Sequence, residues 1–422
     1  MARITNHHGT CIYSYTLFPF SSEWIAYHYH VINLRHLVII PDPSSRTSPQ
    51  RVIDRWKDLM TIELWNYTDY RNAKIAQKFS EHTQHQLRQN FFNRKCIRHF
   101  KNKDRGWVLM VDVDEFILLN PMFQKKGFEN TNLSINKPGS VLSFLNQHGS
   151  KLKTCLTMYR RQITGKESSQ ALRGLFVPKF VNTSNLLTIR FLFQRDYKEE
   201  KEFVSLPEDV SDKERRFNFT KKCSTNRGPL PGKVVINLKQ IRNIKSVSFI
   251  HSNTHRPIRS LCESPKIKPD NSPVIVNHYL PTWEQWNYRR NDARGFYVRA
   301  IKYHLFSMYP LEEVGTGVQL WVQGFKNSVG KHMAKSLLDG VGQLEPYPGQ
   351  PDQGDILPHM PNFYRNNITN GKQMHQVGDW VNVDHNLAKI IAYQSNNHYY
   401  VITNSCEYQY DVAQERIQNI PV

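Results

Sequence analysis

Residues Trp107 to Asn120 read WVLMVDVDEFILLN, an unbroken apolar run that ends in two carboxylates spaced i, i+2. Alternate side chains of a strand share one face, so Asp112 and Asp114 are expected side by side at its end. The run Val108 to Val111 has no polar break, the pattern of a strand covered on both faces in a parallel sheet. Ligands of open α/β sheets sit beyond the carboxyl ends of the strands, where Asp112, Asp114 and Glu115 arrive. Gathering carboxylates at the edge of a core calls for a counter-charge. A hard divalent cation held by one or two carboxylates and by diphosphate oxygens meets that need. The plainer reading is a strand end with solvated acids. An EF-hand does not fit, because Phe116 and Ile117 stand where that loop needs oxygen ligands and a glycine.

Working outward, strands and helices alternate. Cys11 to Leu17 reads as a strand, Ser22 to His30 as a helix with Glu23 in its first turn, and Arg35 to Ile40 as a buried strand stopped by Pro41-Asp-Pro43. Ser48 to Met60 and His82 to Phe100 read as helices, the second with one apolar stripe. Gly232 to Ile241 and Val247 to Ile250 read as further strands, and His278 follows the apolar run Val274 to Val276. Beyond it, Trp283 to Tyr303 and Val318 to Leu338 read as helices. The alternation predicts an α/β fold with a mainly parallel, doubly wound sheet.

From Gln343 to Gly371 the composition turns to Pro, Gly, Asn and Asp, which is linker chemistry. After it, GDWVNVD, AKIIAY, HYYVIT and EYQYDV predict short strands of a small SH3-like β-barrel, similar in their order to Tudor-like modules. Trp380, Tyr393, Tyr399 and Tyr400 are aromatic positions of a groove or of the barrel's core. The expected organisation is a catalytic domain over 1–310, a helical extension over 311–342, a linker over 343–371 and the barrel over 372–422.

The 422 residues, 39% of them hydrophobic, suffice for a large core. Lys and Arg number 56 against 36 Asp and Glu, a net charge of +20 that favours a polyanionic ligand. The basic residues, Arg160 and Arg161 among them, are scattered without the spacing of common DNA readers, so nucleic acid is not expected as a partner. Six cysteines show no CxxC pair and no zinc-ligand spacing, which permits disulfides without requiring them. Asn66, Asn132, Asn182, Asn218 and Asn367 head glycosylation sequons that suit a secretory lumen. No apolar run reaches the ~20 residues of a membrane span, and the first residues do not read as a signal peptide. A Golgi or other secretory location therefore needs an anchor outside this chain; otherwise the expectation is cytoplasmic.

Several segments fall in a familiar order: Ser22-Glu-Trp-Ile-Ala-Tyr-His28, Arg88-Gln89 before Cys96, Trp107 to Phe116, Gly232-Lys233, His255-Arg-Pro257 before Cys262, and His278-Tyr279 before Trp283-Glu-Gln285. Over about residues 11–300 the chain resembles the nucleotide-sugar glycosyltransferases of family 92, which have the Rossmann-like GT-A fold. The resemblance implies transfer of a sugar, galactose being one candidate, from a nucleoside diphosphate donor such as a UDP-sugar to a glycan or glycoprotein acceptor. It implies a DxD motif that holds Mn2+ or Mg2+, with Asp112 towards the donor sugar, Asp114 on the metal and His278 as a further ligand. An imidazole among carboxylates suits manganese better than calcium.

Asp42 is a candidate for the ribose or base, and Arg88, Lys233 and Arg256 for the diphosphate, where charge develops on the leaving group. Relatives invert the anomeric centre, which needs a carboxylate base. Glu167 and Glu284, near matched segments, are the candidates for that base, unranked, and Glu115 beside the DxD pair is a further catalytic candidate. His28 shares a helix face with Trp24, so packing is its expected role. The loop Leu17 to Ser22 departs from the family, whose members often carry an acidic or amide cluster there. Three other classes compete: a metal-dependent phosphohydrolase using the same carboxylates, an acidic-glycan binding protein using the basic surface and the C-terminal barrel, and a Tudor-like reader with an aromatic cage.

Overall fold

The computed structural model describes residues 8–14, 21–41, 49–66, 81–104, 106–120, 123, 134–135, 137–167, 186–195, 231–244, 253, 255–262, 267–279, 311–313, 318, 320–339 and the strands between 380 and 419. Segments 8–14, 81–86, 164–167, 190–195, 311–313 and 380–419 are described as backbone. The chain divides into two compact units, Met1–Gln194 with Pro229–Leu280 and Glu313–Asp352, and Arg195–Gly228 with Pro281–Glu312 and Gln353–Val422.

The first unit opens with strand β1 (His8–Ser14), helix α1 (Ser21–Val31), β2 (Leu34–Pro41), α2 (Gln50–Trp56) and β3 (Thr61–Leu64). Asn33 carries the chain from α1 into β2 with a left-handed φ of 53°, a conformation that asparagine tolerates better than most residues. Next come α3 (Glu81–Asn102), β4 (Trp107–Met110), β5 (Glu115–Leu119), α4 (Ser140–His148), β6 (Cys155–Glu167), α5 (Leu187–Arg190) and β7 (Phe191–Arg195). β8 (Lys233–Asn237) and β9 (Val274–Tyr279) complete the sheet. The short strand β10 (Leu311–Glu313) precedes helices α6 (Leu320–Val329) and α7 (Lys331–Leu338).

The sheet is mixed, which corrects the mainly parallel sheet read from the sequence. From β7 onward the order runs β6-β8-β4-β1-β2-β3. The four strands from β4 to β3 are parallel to one another, whereas β8 lies antiparallel to both β4 and β6. Burial on both faces makes a strand apolar whichever way its neighbour runs, so the apolar run could not report direction. β5 leaves this path: it pairs antiparallel with β9, and β9 runs parallel to β6.

α1 is the centre of the core. Trp24, Ile25, Ala26, Tyr27, His28 and Val31 are all buried, so the helix is covered on every side rather than amphipathic. Tyr27 meets Phe116 and Trp321 edge-on, with ring centroids 5.1 and 5.5 Å away, and its hydroxyl donates to the Ile117 carbonyl at 2.7 Å. Trp321 on α6 donates from its indole nitrogen to Thr188 Oγ1 at 2.9 Å. The segment 320–338 is therefore part of this unit's core. It is two helices rather than the single one expected, broken at Gly330, whose φ of 87° favours glycine.

A disulfide joins Cys155, the first residue of β6, to Cys262, and Cys96 on α3 is also disulfide-bonded. The expected strand at 247–250 and helix at 283–303 lie outside the described residues. Among the described residues, no helix is long and apolar enough to cross a membrane.

In the second unit, β11 (Trp380–Val383), β12 (Asn386–Gln394), β13 (His398–Thr403), β14 (Tyr408–Ala413) and β15 (Ile417–Asn419) form a curled half-barrel sheet ordered β14-β13-β12-β11-β15. The pairings along this sheet are antiparallel. Tyr393 stands opposite Tyr399 in this register. The side chains of the four tail aromatics lie outside the described residues, as does the linker.

Candidate metal and anion site at the acidic turn

β4 ends at Met110, and Asp112 to Glu115 form a turn rather than the end of a longer strand. The Glu115 amide donates to the Asp112 carbonyl at 3.1 Å, and the Glu115 carboxylate accepts from the Asp112 amide at 2.8 Å. Trp24 clamps the turn from α1: its indole nitrogen donates to the carbonyls of Asp112 and Glu115 at 3.1 and 2.9 Å. The Tyr279 amide on β9 donates to the Asp114 carbonyl at 2.8 Å. A buried helix and a buried strand thus fix the backbone that carries the carboxylates.

The two aspartates take different partners. Lys233, at the start of β8, donates from Nζ to Asp112 Oδ2 at 2.6 Å and stands 3.4 Å from Glu115 Oε2. Arg160 on β6 pairs through Nε with Glu115 Oε1 at 2.7 Å. Asp114 has its Oδ2 3.5 Å from Nε2 of His278. That histidine is in register with Glu115 across β5 and β9, and with Gln162 across β9 and β6.

Burial pushes the Asp112 carboxyl up, but the Lys233 charge and hydrogen bond outweigh it and hold the group below its usual value. Burial likewise opposes the Lys233 ammonium, yet Asp112 and Glu115 raise it above the ordinary lysine value. Glu115 is fully buried and takes both cations, so it braces the turn. Lys233 and Arg160 thus stand against Asp112 and Glu115, while Asp114 lies beside His278.

His255 completes the surroundings. Its Nδ1 is bound to the Gly232 carbonyl at 2.7 Å, and burial, with the charges of Lys233 and Arg160, lowers its pKa to about 3. The ring is neutral at neutral pH, with Nε2 left to accept. Arg256 beside it does not join the cluster. Its guanidinium donates to the carbonyls of Arg259 and Cys262, at 2.9 to 3.2 Å, and tightens the loop that the disulfide anchors. Gly232 is required by contact: a Cβ there would stand 2.2 Å from the Met158 carbonyl oxygen.

The structure therefore gathers Asp112, Asp114, Glu115, Lys233 and His278. Arg88 lies half-buried on α3, a helix that packs across β1 and β4. Glu167 stands on β6 opposite Phe191, with its side chain outside the description. Asp42 and Glu284 lie outside the described residues. Sequence reasoning missed Arg160 and His255. The first looked like scattered basic surface, and the second was passed over for its neighbour Arg256.

His28 is a core residue, as its spacing from Trp24 implied. It is buried, stacks on Trp24 with centroids 4.0 Å apart, and has its pKa lowered by burial to about 3.

At the acidic turn the donor set of Asp114, Glu115 and His278 fits a divalent ion. One ligand atom each from Asp114, Glu115 and His278 lies within 4.8 Å of the others, and His278 Nδ1 is buried without a hydrogen-bond partner. Since Glu115 is already paired with Arg160 and Lys233, Asp114 and His278 are the two groups that suit the ion. No protein-family model matches this chain, and no curated protein matches it.

Proposed function

We propose that the chain is a metal-dependent glycosyltransferase with a GT-A-type catalytic unit and an SH3-like tail. It moves a sugar from a nucleoside diphosphate donor to a glycan or glycoprotein acceptor. The observation that carries this reading is the divided acidic turn, in which Asp112 is held by Lys233 while Asp114 faces His278. In this reading Asp114 and His278 hold manganese or magnesium beside the donor diphosphate. Bound there, the ion supplies charge that stabilises the leaving phosphate. Asp112, about a third exposed, is free at its open edge to take hydrogen bonds from the donor sugar, and Lys233 fixes its orientation. Neutral His255 presents a hydrogen-bonding nitrogen rather than a charge.

The Cys155–Cys262 disulfide favours an oxidising compartment, in line with the sequons and with a secretory or Golgi location. Exposed Asn66, just past β3, is a sequon position open to modification.

The test is a panel of nucleotide sugars with Mn2+, read as thermal stabilisation and as diphosphate release with and without glycan acceptors. Acceptor-dependent release supports transfer. Release indifferent to acceptor identifies a phosphohydrolase instead. Polysaccharide binding that survives loss of Asp114, with no turnover, identifies a binding protein.

A further inference from the structure

A second set of metal-ligating side chains converges from three elements away from the acidic turn. β2 supplies His36, β3 supplies Glu63 and the last turn of α3 supplies His99. The Nε2 atoms of His36 and His99 stand 2.6 and 3.0 Å from the same oxygen, Glu63 Oε1. One ligand atom from each of the three lies within 4.8 Å of the others.

The rings are held in place. His36 meets Phe100 edge-on at 4.9 Å and His99 meets Trp65 at 5.1 Å, between centroids. The other Glu63 oxygen accepts from the Trp65 indole at 3.2 Å, the kind of outer hydrogen bond that orients a ligating carboxylate. His36 is buried, while Glu63 and His99 are each 23% exposed, so an ion can reach the cluster from one side.

The donor set and its size specify the ion. Two imidazoles and one carboxylate, with a fourth position open, form a familiar zinc donor set. Bonds of about 2.0–2.1 Å in tetrahedral geometry place neighbouring ligand atoms roughly 3.3 Å apart. The two histidine nitrogens are already 2.6 and 3.0 Å from the carboxylate oxygen, and all three ligand atoms lie within 4.8 Å of one another, close to that spacing.

The competing cation is Lys103, whose Nζ lies 2.7 Å from Oε1. It is 43% exposed and can swing into water. We propose that His36, Glu63 and His99 form a second metal site, which takes zinc and pins the edge strand β3 to α3. Binding leaves each coordinating Nε2 without a proton while each ring keeps one on Nδ1, any second proton passing to water, and displaces the Lys103 ammonium from Oε1.

This site is distinct from the acidic turn and does not depend on the transferase reading. His36 is in register with Gly9, and Gly9 with Val108 near the start of β4, whereas the acidic turn follows the far end of that strand.

The experiment titrates Zn2+ into metal-stripped full-length protein carrying Asp114→Asn, which disables the first site, with Co2+ absorption as a geometric probe. One zinc per chain and tetrahedral Co2+ bands are the expected result. Glu63→Gln and His99→Ala should weaken zinc at least ~10- to 100-fold, the scale already seen for outer-shell changes. Lys103→Met should bind more tightly, because it removes the competing cation, and it is exposed enough to leave the fold alone. No zinc uptake by the Asp114→Asn protein overturns the proposal. So does a zinc affinity unchanged by Lys103→Met and by any folded variant of Glu63 or His99.

Discussion

His278 and Asp114 face each other across the junction of β9 and the acidic turn, Nε2 to Oδ2 at 3.5 Å. They lie some 160 residues apart in sequence, yet the Tyr279 amide bonds the Asp114 carbonyl, so the backbone itself sets their spacing. The pair is placed by sheet register rather than by flexible loops.

Lys233 is the counter-charge on which the turn depends. Lys233→Met removes the partner of Asp112 and one of the two cations on fully buried Glu115. Breaking a buried ion pair from one side costs roughly 3–5 kcal/mol. Urea unfolding should show a loss of that order, and a smaller one for Asp112→Asn, because Asp112 is a third exposed. Equal stability of Lys233→Met and wild type would contradict the bracing role.

Glu23 makes stability fall as pH rises. It is buried at the start of α1, accepts from the amides of Leu187 and Thr188 at 2.7 and 3.0 Å, and accepts from the Thr188 hydroxyl at 2.6 Å. Burial nevertheless outweighs these donors and raises its pKa from 4.5 to about 7. The folded state therefore holds the proton more tightly than the unfolded one. Its contribution is fully present below pH 4.5 and is lost by about pH 7, on the order of 3 kcal/mol. Glu23→Gln should flatten the stability profile across that window. An unchanged slope would show that other groups govern it.

Gly232 is a contact residue just before β8, where that strand begins to pair with β6. Gly232→Ala brings a methyl to 2.2 Å from the Met158 carbonyl oxygen and 3.0 Å from Thr157 Cγ2, and both strands must shift. Overpacking of this kind costs typically ~1–3 kcal/mol. Thermal unfolding should register it, and loss of the His255 hydrogen bond to the Gly232 carbonyl should accompany it. A melting temperature equal to wild type would contradict the contact.

The limits of the sequence reading have physical causes. The apolar runs of β2, β4 and β9 were legible because full burial forces them, and Ser22 with Glu23 in the first turn was legible as a helix start. Strand direction was not, since a buried strand is apolar beside either kind of neighbour. The i, i+2 carboxylates were expected to share a strand face. Instead the chain turns between Asp112 and Glu115, because Trp24 and the Glu115 carboxylate satisfy the backbone groups that the ladder gives up. Arg160 could not be distinguished from surface charge without knowing that β6 runs parallel to β9 and so carries it to Glu115. The zinc-like set escaped for the same reason, since His36, Glu63 and His99 share no sequence spacing and meet only where β2, β3 and the last turn of α3 come together.

The central claim is that Asp114 and His278 hold the cation on which sugar transfer depends. Its most direct test is Mn2+-dependent transfer from a nucleotide-sugar panel by wild type, Asp114→Asn and His278→Ala, each verified as folded. The account predicts turnover in wild type and a fall of about 10²–10³-fold or more in both variants, the scale for losing a stabiliser of transition-state charge. A folded Asp114→Asn protein that transfers sugar at the wild-type rate would contradict it.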